Sequence, residues 1–140
     1  MILLDTNVLI YAFDPDSPMC SWAKGILRSA VLGEGAAINP VILAELMVGD
    51  HSPETVATRL EALGVNLLDL PIATAPRCSQ AYADYLDNRR KQPDLATAPK
   101  SPLPDFFIGA HAAALEFPIA TADTGRYQSY FPEVQLLSPA

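Results

Sequence analysis

Met1-Ile2-Leu3-Leu4-Asp5-Thr6-Asn7-Val8-Leu9-Ile10 is the stretch that decides the fold. Three apolar residues run unbroken into a carboxylate, and a second apolar run follows. An uninterrupted apolar triplet suits a strand buried on both faces, as in parallel sheets. The rest of the chain repeats the theme, with short apolar runs alternating with helical patterns, which predicts an α/β domain with a mostly parallel sheet. Trp22, Ile26, Leu27 and Val31 mark a helix after Pro18 that Gly33-Glu34-Gly35 ends, before a strand over 36–39. Pro40 opens a helix that Gly49 stops, and Ser52 caps another that ends near Gly64. The pattern predicts strands over 65–70, 117–121 and 134–137, and helices over 73–90 and 105–116. Residues 92–104, with prolines at 93, 99, 102 and 104, read as one long loop. No internal repeat or linker divides the chain, so residues 1–140 are expected to form one domain.

Bulk composition narrows the function classes. A chain of 140 residues that is 50% hydrophobic and 18% charged is neither disordered nor fibrous. The net charge of −7 and pI near 4.6 speak against holding nucleic acid by bulk positive charge. Cys20 and Cys78 are too few for a disulfide framework and show no zinc-ligand spacing, so both read as free thiols in a reducing compartment. With neither a basic leader nor an apolar run of about 20 residues, the chain is expected to be soluble and cytoplasmic.

Four carboxylates stand out by position. Asp5 ends the first strand, where α/β sheets place their sites, although a turn or helix cap would also explain it. Glu45 has Val41, Ile42, Val48 and Gly49 as its helical neighbours, so it is expected to be buried and to meet a cation, a metal or a proton. Asp105 falls in a helix first turn, where the macrodipole favours an acid. Asp123 follows a strand and sits beside Thr124-Gly125, so a turn role remains open. Converging at one sheet edge, four such acids would repel one another unless a cation neutralised them. An all-oxygen donor set selects a hard ion, Mg²⁺ or Mn²⁺, suited to phosphodiester hydrolysis.

The chain resembles the PIN-domain ribonucleases, specifically the VapC toxins of toxin–antitoxin pairs. The resemblance rests on residues 1–10, on Asn39-Pro40-Val41-Ile42-Leu43-Ala44-Glu45-Leu46, on Asp105-Phe106-Phe107-Ile108-Gly109-Ala110-His111-Ala112 and on Thr121-Ala122-Asp123-Thr124-Gly125-Arg126-Tyr127. Each motif alone is weak; four in order, spread along the chain, are fairly specific. The resemblance implies an α/β/α sandwich, a Mg²⁺- or Mn²⁺-dependent endoribonuclease, a small antitoxin partner and a homodimer. It maps the acidic set onto Asp5, Glu45, Asp105 and Asp123, and makes Asn7 and Thr121 supports that hydrogen-bond the acids.

Arg89, Arg90 and Lys91, with Lys100, are either RNA-phosphate contacts or a solvated helix terminus. Arg126 is a further contact candidate. His51 and His111 read as structural, and Tyr11 and Phe13 as a possible dimer or antitoxin surface. Two rival readings remain. One is a PIN-fold binding module without cleavage. The other is a phosphatase of the haloacid dehalogenase type, which needs a second Asp where this chain has Asn7. A response-regulator receiver would need a Lys near the end of the chain, yet none follows Lys100.

Overall fold

The computed structural model describes residues 1–92, 94 and 100–139. In chain order, the elements are β1 (Ile2–Leu4), α1 (Thr6–Ala12), α2 (Cys20–Leu32), β2 (Ala36–Ile38), α3 (Pro40–Val48) and a 3-10 turn (Pro53–Thr55). There follow α4 (Val56–Ala62), β3 (Val65–Leu67), α5 (Thr74–Lys91), α6 (Leu103–Leu115), β4 (Ile119–Ala120), α7 (Gly125–Tyr130) and β5 (Leu136–Leu137). All five strands pair in parallel, in the order β3-β2-β1-β4-β5. The α/β class with a parallel sheet is therefore as expected.

That order fixes the site. The chain winds from β1 outward to β2 and β3, then returns to place β4 on the other flank of β1. Ligands bind at such a switch point, outside the carboxyl ends of the strands. Asp5 N donates to Ala120 O at 2.9 Å, which sets the C-terminal ends of β1 and β4 side by side. Leu3, Leu4, Ala37, Ile38, Ile119 and Ala120 have no exposed surface, as strands covered on both faces require.

Several local expectations need correction. Residues 6–12 form a helix inside what read only as an apolar run, and residues 125–130 form another. Neither spans more than about two turns, too little for a periodicity to show. The predicted strand over 65–70 stops at Leu67, and α6 starts at Leu103 rather than Asp105. Ser52 makes no side-chain cap; it precedes the 3-10 turn through its backbone carbonyl. In α6 a glycine is required at 109, where a Cβ would fall 2.3 Å from the Phe131 ring. Within the predicted loop over 92–104, residues 93 and 95–99 lie outside the described residues.

Candidate active site

Asp5 caps α1 with an extended backbone, and its Oδ1 accepts from Thr6 N at 2.8 Å. The capping role and the placement at the strand end are thus properties of the same residue. Its Oδ2 accepts from Thr121 Oγ1 at 2.8 Å and from Tyr127 OH at 2.9 Å, with Asn7 Nδ2 at 3.5 Å. Thr121 Oγ1 in turn accepts from Asp123 N at 3.0 Å and Asn7 Nδ2 at 3.2 Å. Asn7 Oδ1 accepts from Ala122 N at 3.0 Å. These bonds tie the start of α1 to the segment after β4 and set Asn7 and Thr121 against the Asp5 carboxylate.

Glu45 reaches the same place from α3. Asn39 begins that helix: its side chain accepts from Ile42 N at 3.0 Å, and Pro40 follows with a preset φ. Asp105 comes from the first turn of α6 and Asp123 from the loop after β4. Asp5, Glu45, Asp105 and Asp123 all line one cleft of about 260 Å³, together with Asn7, Arg126 and Tyr127. The sheet topology, the starts of α1 and α6, the later part of α3 and the loop after β4 bring the four carboxylates together.

Their surroundings differ. Burial pushes the Asp5 carboxyl above its usual range, against the pull of the Thr121, Tyr127 and Thr6 hydrogen bonds and of Arg126. Glu45 departs from the expected burial, because it is exposed at the cleft mouth. The groove beside α3 that Glu45 lines is open, and Ala44 and Val48 on the same helix are exposed too. Glu45 is nonetheless raised by partial desolvation and by repulsion from Asp105 and Asp5, while the buried Thr6 hydroxyl lies toward it without closing a full hydrogen bond. Arg126 Nη2 stands 3.6 Å from Asp105 Oδ2 and 3.0 Å from Ser101 Oγ, its guanidinium 5.4 Å from the centre of the Phe106 ring.

The donor chemistry of this cleft fits a hard divalent cation, since every acidic ligand is oxygen and their mutual repulsion is only partly offset by Arg126. The carboxylates are not drawn into a finished cage. Among the described residues no three His, Cys, Asp or Glu side chains are grouped closely enough to hold an ion as placed.

The other basic residues lie apart from the acids. Arg90 and Lys91 both pair with Asp87, at 3.3 and 2.9 Å. Arg89 is buried, its Nη1 3.4 Å from Tyr85 OH. Arg89, Arg90 and Lys100 share a shallow pocket of about 270 Å³ with Leu86; Lys91 does not line it.

A second, larger cavity of about 590 Å³ lies beside the cleft, walled by apolar residues such as Leu9 of α1, Leu46 of α3 and Leu60 of α4, with Leu63 just beyond. Ile10 and Glu45 line both cavities. Phe13 is 57% exposed on its wall and Ile10 52%.

A model of the PIN domain family matches residues 2–131. The chain belongs to the PIN domain family. Nucleases of this family generally use divalent metal ions. Among solved structures, the FitAcB structure from Neisseria gonorrhoeae is similar at 25% identity and a TM-score of 0.69, covering 99% of this chain and 98% of that one. A toxin–antitoxin complex from Klebsiella pneumoniae matches at 23% identity and TM-score 0.67, over 100% and 98%. Mycobacterium tuberculosis VapC20, described as a sarcin–ricin loop cleaving toxin, matches at 14% and 0.65, over 96% and 99%. This PIN domain thus has the fold of the VapC-like toxins along nearly its whole length. Comparison with curated proteins finds no significant match.

Tyr127 escaped the sequence reading. It lies four residues beyond Asp123 in a six-residue helix, where nothing in the pattern separates a core aromatic from one that bonds Asp5. Ser101, which holds Arg126, was hidden among the loop residues for the same reason.

Proposed function

We propose that this PIN domain is a metal-dependent endoribonuclease and the toxin of a toxin–antitoxin pair, acting in the cytoplasm. The observation that carries the reading is the meeting of Asp5, Glu45, Asp105 and Asp123 in one cleft at the switch point of the sheet. Mg²⁺ or Mn²⁺ bound there would neutralise developing phosphate charge and make water a competent nucleophile. Asp5 and Asp105 would hold such an ion, and Glu45 and Asp123 would complete its surroundings and help orient a water. Asn7 and Thr121 keep Asp5 in place. Arg126 contacts a phosphate oxygen, and the pocket of Arg89, Arg90 and Lys100, with Lys91 nearby, receives RNA phosphates further along the strand.

The apolar cavity suits the antitoxin. An apolar segment seated against Ile10, Phe13 and Leu63 would run up to Glu45 and so reach the catalytic cleft. The toxin–antitoxin complex among the structural relatives supports such a partner, and a homodimer is proposed with it. The phosphatase alternative loses ground, because Asn7 spends its side chain on Ala122 and Thr121 and offers no acid.

One observation favours the non-cleaving module: Arg126 already pairs with Asp105 in the cleft. Cleavage of RNA by the purified protein with Mg²⁺ or Mn²⁺ separates the readings. Asp5→Asn and Asp105→Asn are each expected to cost about 100-fold or more in rate, since even residues supporting metal ligands cost about 10–100-fold. Cleavage undiminished in both variants would remove the assignment, and absence of cleavage by the wild type at any divalent ion concentration would favour the module.

A further inference from the structure

The two oxygens of Asp5 are not equivalent. Oδ1 accepts one short bond, from Thr6 N at 2.8 Å. Oδ2 accepts two, from Thr121 Oγ1 at 2.8 Å and Tyr127 OH at 2.9 Å, with Asn7 Nδ2 at 3.5 Å. A carboxylate has about four lone-pair sites, two on each oxygen. Oδ2 is therefore filled by its two hydroxyl donors, and Oδ1 is the oxygen with capacity to spare.

Without Tyr127, Oδ2 would keep one short bond, from Thr121, and the long contact with Asn7 at 3.5 Å. The second donor comes from a residue whose ring already belongs to the core: Tyr127 is 2% exposed. A phenyl ring would fill that space as well, so packing does not account for the hydroxyl. Its hydrogen has one acceptor among the described residues, the Asp5 carboxylate.

We propose that Tyr127 is a positioning residue for metal capture: its hydroxyl occupies Asp5 Oδ2 so that the carboxylate meets a divalent cation through Oδ1 alone. This rests on the metal-dependent reading above. A carboxylate with only one oxygen available suits a small ion that demands near-ideal octahedral geometry, such as Mg²⁺ or Mn²⁺. A carboxylate free to turn and offer both oxygens suits Ca²⁺, which accepts bidentate ligands and irregular shells. The hydroxyl thus sets ion preference as well as affinity.

The test measures Mn²⁺ and Ca²⁺ binding to the whole protein by calorimetry, with Mn²⁺ uptake checked by electron paramagnetic resonance, for wild type, Tyr127→Phe, Tyr127→Leu and Asp5→Asn. Tyr127→Phe is expected to keep a thermal midpoint near that of the wild type. It should lose about 10-fold in Mn²⁺ affinity, the scale on which partners of metal ligands act, with a smaller loss for Ca²⁺. Tyr127→Leu should show the same change in ion preference together with a lower midpoint. Wild-type Mn²⁺ affinity in Tyr127→Phe, with Asp5→Asn unable to bind, would overturn the positioning role and leave the metal site standing. Equal losses for both ions in step with a falling midpoint would reduce Tyr127 to a structural residue. A wild type that takes up neither ion would overturn the metal reading and this proposal with it.

Discussion

His111 has no exposed surface, and its Nδ1 lies 3.1 Å from Asn39 Nδ2. An amide N–H donates, so Nδ1 is the acceptor and the ring is the neutral tautomer carrying its proton on Nε2. Nε2 has no partner among the described residues, and the nearest aromatic is Phe117, with ring centres 6.3 Å apart. Burial therefore lowers the imidazole below its ordinary 6.5. The unfolded chain takes up this proton first as pH falls. The stability that His111 contributes is complete above about 6.5 and is lost as pH drops toward the folded-state value. A proton on Nδ1 would also oppose the Asn39 amide that caps α3, the helix carrying Glu45. Thermal midpoints across pH 5 to 8 should fall on the acid side for the wild type. His111→Asn, which keeps an acceptor but cannot titrate, should start lower and show a flatter profile; parallel profiles would reject the assignment. A reading of the sequence reaches this kind of residue only in part. That His111 is structural follows from its apolar neighbours, but its partner lies 72 positions away. Glu45 shows the converse error: apolar neighbours along a helix imply burial only where another element closes over them, and here an open groove does not.

The helix α6 ends at Glu116 with φ 56° and ψ 41°, a left-handed conformation, and Phe117 N closes the turn on Ala112 O at 2.9 Å. Glu116 is the one non-glycine residue with positive φ among those described. A Cβ in this region costs about 1–2 kcal/mol, part of which glycine returns as unfolded-state entropy. Glu116 is exposed, so its side chain has no packing to lose. Glu116→Gly is expected to stabilise the protein by about 0.5–1 kcal/mol, which calorimetry should register as a midpoint raised by about 3 °C. A lowered midpoint would mean that the side chain supports the turn. The long elements were legible because each carries its own start and stop: Pro40 and Gly49 bound α3, and Gly64, at φ 91°, ends α4 before β3. The helices α1 and α7 were not, since seven and six residues leave no repeat to count. That matters at the site, because α7 carries Tyr127, whose bond to Asp5 left no mark in the sequence pattern.

At the scale of the whole molecule the charge needs redistribution rather than a sum. Of 16 acidic and 9 basic residues, four acids and Arg126 line the cleft, which leaves 12 acidic against 8 basic, or −4, over the remainder. Much of that remainder is paired: Arg59 with Asp50 at 2.7 Å, Arg77 with Glu133 at 2.8 Å, and Arg90 and Lys91 with Asp87. Among the described residues these pairs leave no broad basic face for a polyanion. The cations proposed to meet RNA are Arg126 inside the cleft and Arg89, Arg90 and Lys100 in their shallow pocket, linked to the cleft through Ser101. Ser101 N donates to Tyr85 OH at 2.7 Å, and Ser101 Oγ accepts from Arg126 at 3.0 Å. On the proposed reading, RNA contact is therefore local, to about three phosphates. For single strands the logarithm of affinity falls with the logarithm of salt at about 0.7 per phosphate neutralised, so a slope near −2 is expected. Binding of a single-stranded RNA to Asp105→Asn, which should not cleave it, measures this by fluorescence anisotropy from about 50 to 200 mM salt. Arg126→Ala should lower the slope by nearly one phosphate's worth. A slope of −5 or steeper would place RNA across surfaces that the ion pairs keep neutral, and would move the substrate path away from the Ser101 side of the cleft.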